Sequence, residues 1–102
     1  MLKTIRQSPI KSQPTAYLAN VFNALADPTR LRLINLLLKH NDKCVSEYAA
    51  MLKVSVSAVS QNFRILELND LVVPQRQGQK ICYRLRLEDP FVKAVINFVK
   101  QT

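Results

Sequence analysis

The chain has 102 residues, 48% of them hydrophobic and 22% charged, which suits one compact domain with a core and excludes both a wholly disordered chain and two domains of ordinary size. Fifteen Lys and Arg against seven Asp and Glu give a formal charge of +8, a field that attracts polyanions such as nucleic acid or an acidic membrane surface. No apolar run approaches the roughly 20 residues that span a bilayer, no apolar stretch of the secretory kind follows Lys3 and Arg6, and two cysteines are too few for a disulfide scaffold, so a reducing cytoplasm is the expected location.

Residues 1–14 are polar and basic, with Pro9 and Pro14 and no acid, and read as a flexible arm ahead of a folded domain over 15–102. Thr15 is the expected cap of a first helix in which Tyr17, Leu18, Val21, Phe22 and Leu25 share a face. Asp27 as cap and Pro28 at the first helical position restart the chain, and Leu31 to Leu38 is apolar enough to form the centre of the core. Ser46 is the expected cap of a short third helix ending at Leu52, and Ser55 of a fourth running to about Asn69. Two helices so close together make a helix-turn-helix candidate.

From Leu71 the period changes to that of strands, with Pro74 marking an edge and Gly78, the single glycine, marking a hairpin turn. On the return strand Ile81, Tyr83, Leu85 and Leu87 alternate with Cys82, Arg84 and Arg86, so the first set is expected to meet the core. Asp89 and Pro90 start a last helix whose apolar residues exceed one stripe. A symmetric partner chain would cover the excess, with Tyr17, Leu18, Val21, Phe22, Phe91, Val92, Val95, Ile96 and Val99 as the expected dimer interface.

Placed at 100° per residue, the fourth helix gathers Val56, Val59, Phe63 and Leu66 on one side and Ser57, Ser60, Gln61 and Arg64 on the other. The polar side holds no acid and offers hydroxyl, amide and guanidinium groups, which bond phosphates and base edges in a major groove that admits a helix. The hairpin beside it adds Arg76, Lys80, Arg84 and Arg86. The expected DNA-contacting set is therefore Ser55, Ser57, Ala58, Ser60, Gln61, Asn62, Arg64, Arg76, Gln77, Lys80 and Arg84.

The segment from Asn23 through Asp27-Pro28-Thr29-Arg30 to Leu33 resembles the opening of ArsR/SmtB-type repressors. The run from Ser55 to Phe63 is similar to their recognition helix, and Leu71-Val72, Arg76, Gly78 and Ile81 to Leu85 to the strand and wing that follow. The resemblance implies a mainly α fold with a small antiparallel β-hairpin, a winged helix-turn-helix with four helices, the wing and a fifth helix, working as a homodimer. Its implied partners are double-stranded DNA carrying a near-palindromic operator and a second copy of the chain. It implies a repressor released by an effector, here of unknown identity, or, on this chain's own cysteines, by a redox signal. Many relatives carry His where this chain has Asn62.

Arsenic and cadmium sensors of that family place Cys-Val-Cys where this chain has Cys44-Val45-Ser46, and zinc and nickel sensors use His on a last helix that here has none. No metal site and no cofactor are expected. His40 reads as a cation at the end of the second helix rather than as a ligand. Cys44 and Cys82 read first as small buried hydrophobes. Their sharper reading is a redox pair, since Cys44 stands near a helix N-terminus, which favours the thiolate, and the segment can approach the wing strand. No nucleophile and base pair, phosphate-cradling loop or metal constellation supports an enzyme. The alternative to a DNA-binding regulator is a winged-helix interaction module without specific DNA binding.

Overall fold

The computed structural model describes residues 13–101; most of the basic arm expected over 1–14 lies outside them. Five helices and one hairpin follow in the order α1 (Thr15–Leu25), α2 (Pro28–Lys39), α3 (Val45–Leu52), α4 (Val56–Leu68), β1 (Val72–Gln77), β2 (Lys80–Leu85) and α5 (Pro90–Val99). This is a winged helix-turn-helix.

Three helix starts follow directly from their caps. Asp27 accepts from Arg30 N at 3.0 Å, Ser55 Oγ from Ala58 N at 3.0 Å, and Asp89 from Phe91 N at 2.9 Å. Each satisfies one of the amides that a helix N-terminus leaves without an internal partner. Two starts differ from expectation. Thr15 lies inside α1, whose cap is Pro14. The cap of α3 is Cys44 rather than Ser46, because Glu47 reaches back to accept from Cys44 N at 2.8 Å and fixes the start there.

Helix α3 is capped by a residue in the left-handed region, and α4 is followed by one just past its cap Asn69. Lys53 has φ 58° and Asp70 φ 60°. Val54 N donates to Ala49 O at 3.1 Å, and Leu71 N to Leu66 O at 3.0 Å, which turns the chain sharply after each helix. The first of these reversals joins α3 to α4, and the second aims the chain into β1.

The core gathers Leu33 and Ile34 of α2, Tyr48 of α3, Val59, Phe63 and Leu66 of α4, Leu71, and Val92, Val95 and Ile96 of α5, all buried. Strands β1 and β2 pair antiparallel from Val72 with Leu85 to Gln77 with Lys80. Gly78, at φ 64°, sits in the connecting turn, where a side chain would be strained. Beyond the hairpin, Cys44 forms an isolated antiparallel bridge with Cys82.

The expected alternation along the return strand holds only in its middle. Leu85 is buried and Tyr83 partly so, but Ile81 and Leu87 are each 41% exposed and Cys82 is buried. The burial of Cys82 has a long-range cause: it pairs with Cys44, 38 positions away, by a disulfide and is drawn against the start of α3. The expected dimer surface also needs correction. Val21, Phe91, Val92, Val95 and Ile96 are consumed by the chain's own core, so they have no free surface to offer a partner.

Candidate nucleic-acid interface

Helix α4 buries Val59, Phe63 and Leu66 and leaves Ser57, Ser60, Gln61 and Arg64 exposed. Val56, expected among the buried residues, is half exposed, because it occupies the first turn, ahead of the point where α4 reaches the core. It stands instead with Ser60 beside the wing residues Lys80 and Ile81, around a cavity of about 280 Å³. One groove therefore has the start of α4 on one side and the wing on the other.

The wing is coupled to α4 through rings. Phe63 and Tyr83 stack with centroids 4.5 Å apart and planes 12° off parallel, and Tyr83 OH donates to Glu67 Oε1 at 3.3 Å. Burial, and then the neighbouring Glu67 carboxylate, push the Tyr83 hydroxyl up from its ordinary value of 10.0, which keeps it a neutral donor. The stack fixes the base of the wing against the helix that carries the exposed polar face.

The expected contact residues divide by how free their polar groups are. Arg64, Arg76, Gln77, Lys80, Ser57, Ser60 and Gln61 are exposed, and no carboxylate among the described residues lies within ion-pair distance of Arg64, Arg76 or Lys80. Ser55 spends its hydroxyl on the cap, with Ser57 Oγ 3.4 Å away. Ala58 is half-buried. Asn62 is held on both sides of its amide: its Oδ1 accepts from Arg30 Nη1 at 2.9 Å and its Nδ2 donates to Ala58 O at 2.9 Å.

Arg84 forms a two-pronged pair with Glu88 at 2.9 and 3.2 Å. That contact raises the Arg84 pKa and holds the Glu88 carboxyl below its usual range. Arg86 is likewise held, donating to Asp70 O at 2.9 Å and pairing with Asp89 at 3.4 Å. The wing's uncommitted charge thus sits on Arg76 and Lys80, toward the hairpin tip, rather than along the whole return strand. Sequence spacing gave no sign of this, since Glu88 and Asp89 follow the strand and reach back to it.

One feature escaped the sequence reading. Arg30 links three elements, its Nε donating to Ala24 O at the end of α1 while Nη1 reaches Asn62 on α4; its place in the first turn of α2 was the available signal. Phe98 is 84% exposed and Phe22 49%, two large rings without cover on α5 and α1, the helices from which a partner-facing surface was expected. His40 caps α2, its amide donating to Leu36 O at 2.8 Å and its carbonyl accepting from Tyr48 OH at 3.4 Å. Among the described residues no three His, Cys, Asp or Glu side chains converge as a metal site would require.

A family profile described as bacterial regulatory protein, arsR family, matches residues 27–73. The chain is 47% identical over 68 residues to the transcriptional repressor SmtB homolog of Synechocystis sp., covering 67% of this chain and 51% of that relative. It is 32% identical over 85 residues to the transcriptional repressor SdpR of Bacillus subtilis, covering 80% of this chain and 92% of that one. The chain thus spans about half the length of the first relative and nearly all of the second. Among solved structures, reduced HlyU from Vibrio cholerae superposes with a TM-score of 0.69 at 30% identity, covering 83% of this chain and 86% of that one. A homodimeric winged helix-turn-helix DNA-binding domain from Mycobacterium bovis gives 0.73 at 25% identity, with 97% and 85% covered.

Proposed function

The chain belongs to the arsR family of bacterial regulatory proteins, and on that premise we propose that it is a homodimeric, sequence-specific DNA-binding repressor. The observation that carries the reading is the acid-free exposed face of α4, Ser57, Ser60, Gln61 and Arg64, set across one groove from Lys80 of the wing. The helix supplies hydrogen-bonding groups to base edges, and Arg76 and Lys80 supply charge to the phosphates on either side. Val56, exposed in the first turn of α4, offers an apolar surface to a thymine methyl. Two related chains are named transcriptional repressors, which supports repression as the outcome of binding.

The dimer forms through α1 and α5. Tyr17 and Phe91 join these helices at 5.4 Å, and each helix carries an uncovered ring, Phe22 and Phe98. Tyr17, Leu18 and Val99, all partly exposed, extend that surface. Two-fold symmetry then presents two α4 helices to half-sites about one helical turn apart.

Selection of duplexes from a random pool by the purified chain tests the reading. The expected result is a near-palindromic consensus whose binding survives excess competitor DNA and weakens steeply with salt. Ser57→Ala and Gln61→Ala should relax the consensus at single positions, and Lys80→Ala should weaken every duplex alike. Enrichment of no sequence, with retention of an acidic protein partner instead, would establish an interaction module.

A further inference from the structure

Resting on the DNA-binding reading above, we propose that Cys44 and Cys82 form a thiol–disulfide exchange site for low-molecular-weight thiols and their disulfides, whose oxidised state locks the wing in its DNA-binding position. The two residues are 38 positions apart in sequence, yet their Cα atoms lie 4.1 Å apart and their side chains are joined. Cys44 caps α3, the first helix of the helix-turn-helix, and Cys82 stands in β2 of the wing. The bond therefore links the two elements whose relative position decides how α4 and the wing meet one duplex.

The placement along the wing gives the bond its leverage. The base of the hairpin is held by the Phe63–Tyr83 stack and by Arg86 N donating to Leu71 O at 3.1 Å. From Arg76 to Ile81 the hairpin is exposed, and these residues carry the wing's uncommitted cations. Cys82 is the buried residue next to that exposed tip, so a covalent tie there restrains the part of the wing that the base contacts restrain least. Surfaces fixed in their bound arrangement lose less freedom on association, which favours the oxidised form for DNA.

The pair is sheltered but reachable. Cys44 is 4% and Cys82 3% exposed, yet Cys44 lines the cavity of about 280 Å³ that Ser60 and Lys80 also border. Cys82 does not line it, so we assign the entry of an external reagent to Cys44. In the oxidising direction, the Cys44 thiolate attacks a small-molecule disulfide and expels one thiolate, giving a mixed disulfide. The Cys82 thiolate then attacks Cys44 Sγ and expels the second thiolate. Two protein thiols lose two electrons and two protons, and one small disulfide becomes two small thiols. A reducing thiol reverses the sequence, entering at Cys44. The cavity lies in the groove assigned to DNA, so bound operator should shield Cys44 and slow reduction.

The test uses the full chain oxidised with glutathione disulfide or reduced with dithiothreitol, against a duplex selected from a random pool, with Cys44→Ser, Cys82→Ser and the double variant alongside. The expected result is affinity about five-fold or more higher for the oxidised wild type than for the reduced one, no redox response in any of the variants, and slower reduction of the wild type when the duplex is bound. Equal affinities in the two states, tighter binding by the reduced form, or a response that survives in the double variant would overturn the proposal. The double variant cannot form the bond: if it binds the duplex while the wild type ignores redox state, only the switch fails. If no form selects any duplex, the DNA-binding reading fails and the switch with it.

Discussion

Arg30 and Asn62, 32 positions apart in sequence, hold the first turn of α2 to the middle of α4 through a hydrogen bond of 2.9 Å. The same guanidinium donates through Nε to Ala24 O, one of the carbonyls that the end of α1 leaves without a helical partner. The amide of Asn62 is completed by Ala58 O. Asn62 therefore positions the exposed face of α4 relative to α1 and α2.

Asn62→Ala should destabilise the fold by about 1–3 kcal/mol, since it strands a half-buried guanidinium. It should also weaken every duplex by a similar factor while leaving the selected consensus unchanged. A double-mutant cycle with Arg30→Gln should return a coupling of about 0.5–3 kcal/mol from urea unfolding. A changed base preference in the Asn62 variant would instead make it a reading residue.

The elements were legible because their signals are local. Asp27-Pro28, Ser55 and Asp89-Pro90 mark helix starts by cap chemistry, and Gly78 marks a turn that needs positive φ. The exposed polar face of α4 was legible for the same reason, being a matter of helical period. What failed depended on contacts between distant segments. Cys82 is buried, against expectation, because Cys44 arrives from 38 positions away. Asn62 read as free because Arg30, 32 positions away, is not visible as its partner until the chain folds. The apolar excess of α5 was overstated because four of its side chains reach the chain's own core.

Lys53 should be improvable. It ends α3 at φ 58° and ψ 44°, a conformation that costs a side chain with a Cβ about 1 kcal/mol or more and glycine nothing. Lys53→Gly should raise stability by up to about 1 kcal/mol, partly offset by the greater freedom of glycine in the unfolded chain, whereas Lys53→Val should lower it. Urea midpoints at unchanged slope are the measurement. A gain from valine would contradict the left-handed turn between α3 and α4.

Tyr48 makes alkaline stability a local probe. Its hydroxyl is pushed from 10.0 up to about 12, first by burial and then by the carboxylates of Asp42 and Glu47. The folded state thus keeps a proton that the unfolded state releases, and stability is full below pH 10 and falls as pH rises toward 12. Tyr17 and Tyr83 are shifted in the same direction, so Tyr48→Phe should flatten this slope without abolishing it. Thermal midpoints at intervals across that range check it; an equal slope in the variant would place the titration elsewhere.

Phe98 decides whether α5 meets a second copy. A ring 84% exposed at the end of an otherwise well-buried helix is stabilised by cover, about 1.5–3 kcal/mol for each large apolar side chain fully buried. A two-fold axis counts every substitution twice. Phe98→Glu should therefore shift the chain toward monomer in sedimentation at concentrations where the wild type is dimeric, and Phe22→Glu should act in the same direction. Because the monomer fold buries neither ring fully, both variants should unfold as cooperatively as the wild type when measured as monomers. Operator affinity should fall with the dimer, since one α4 reads only one half-site. Loss of DNA binding with the dimer intact would assign Phe98 to the DNA contact, and an unchanged dimer with unchanged binding would remove α5 from the interface.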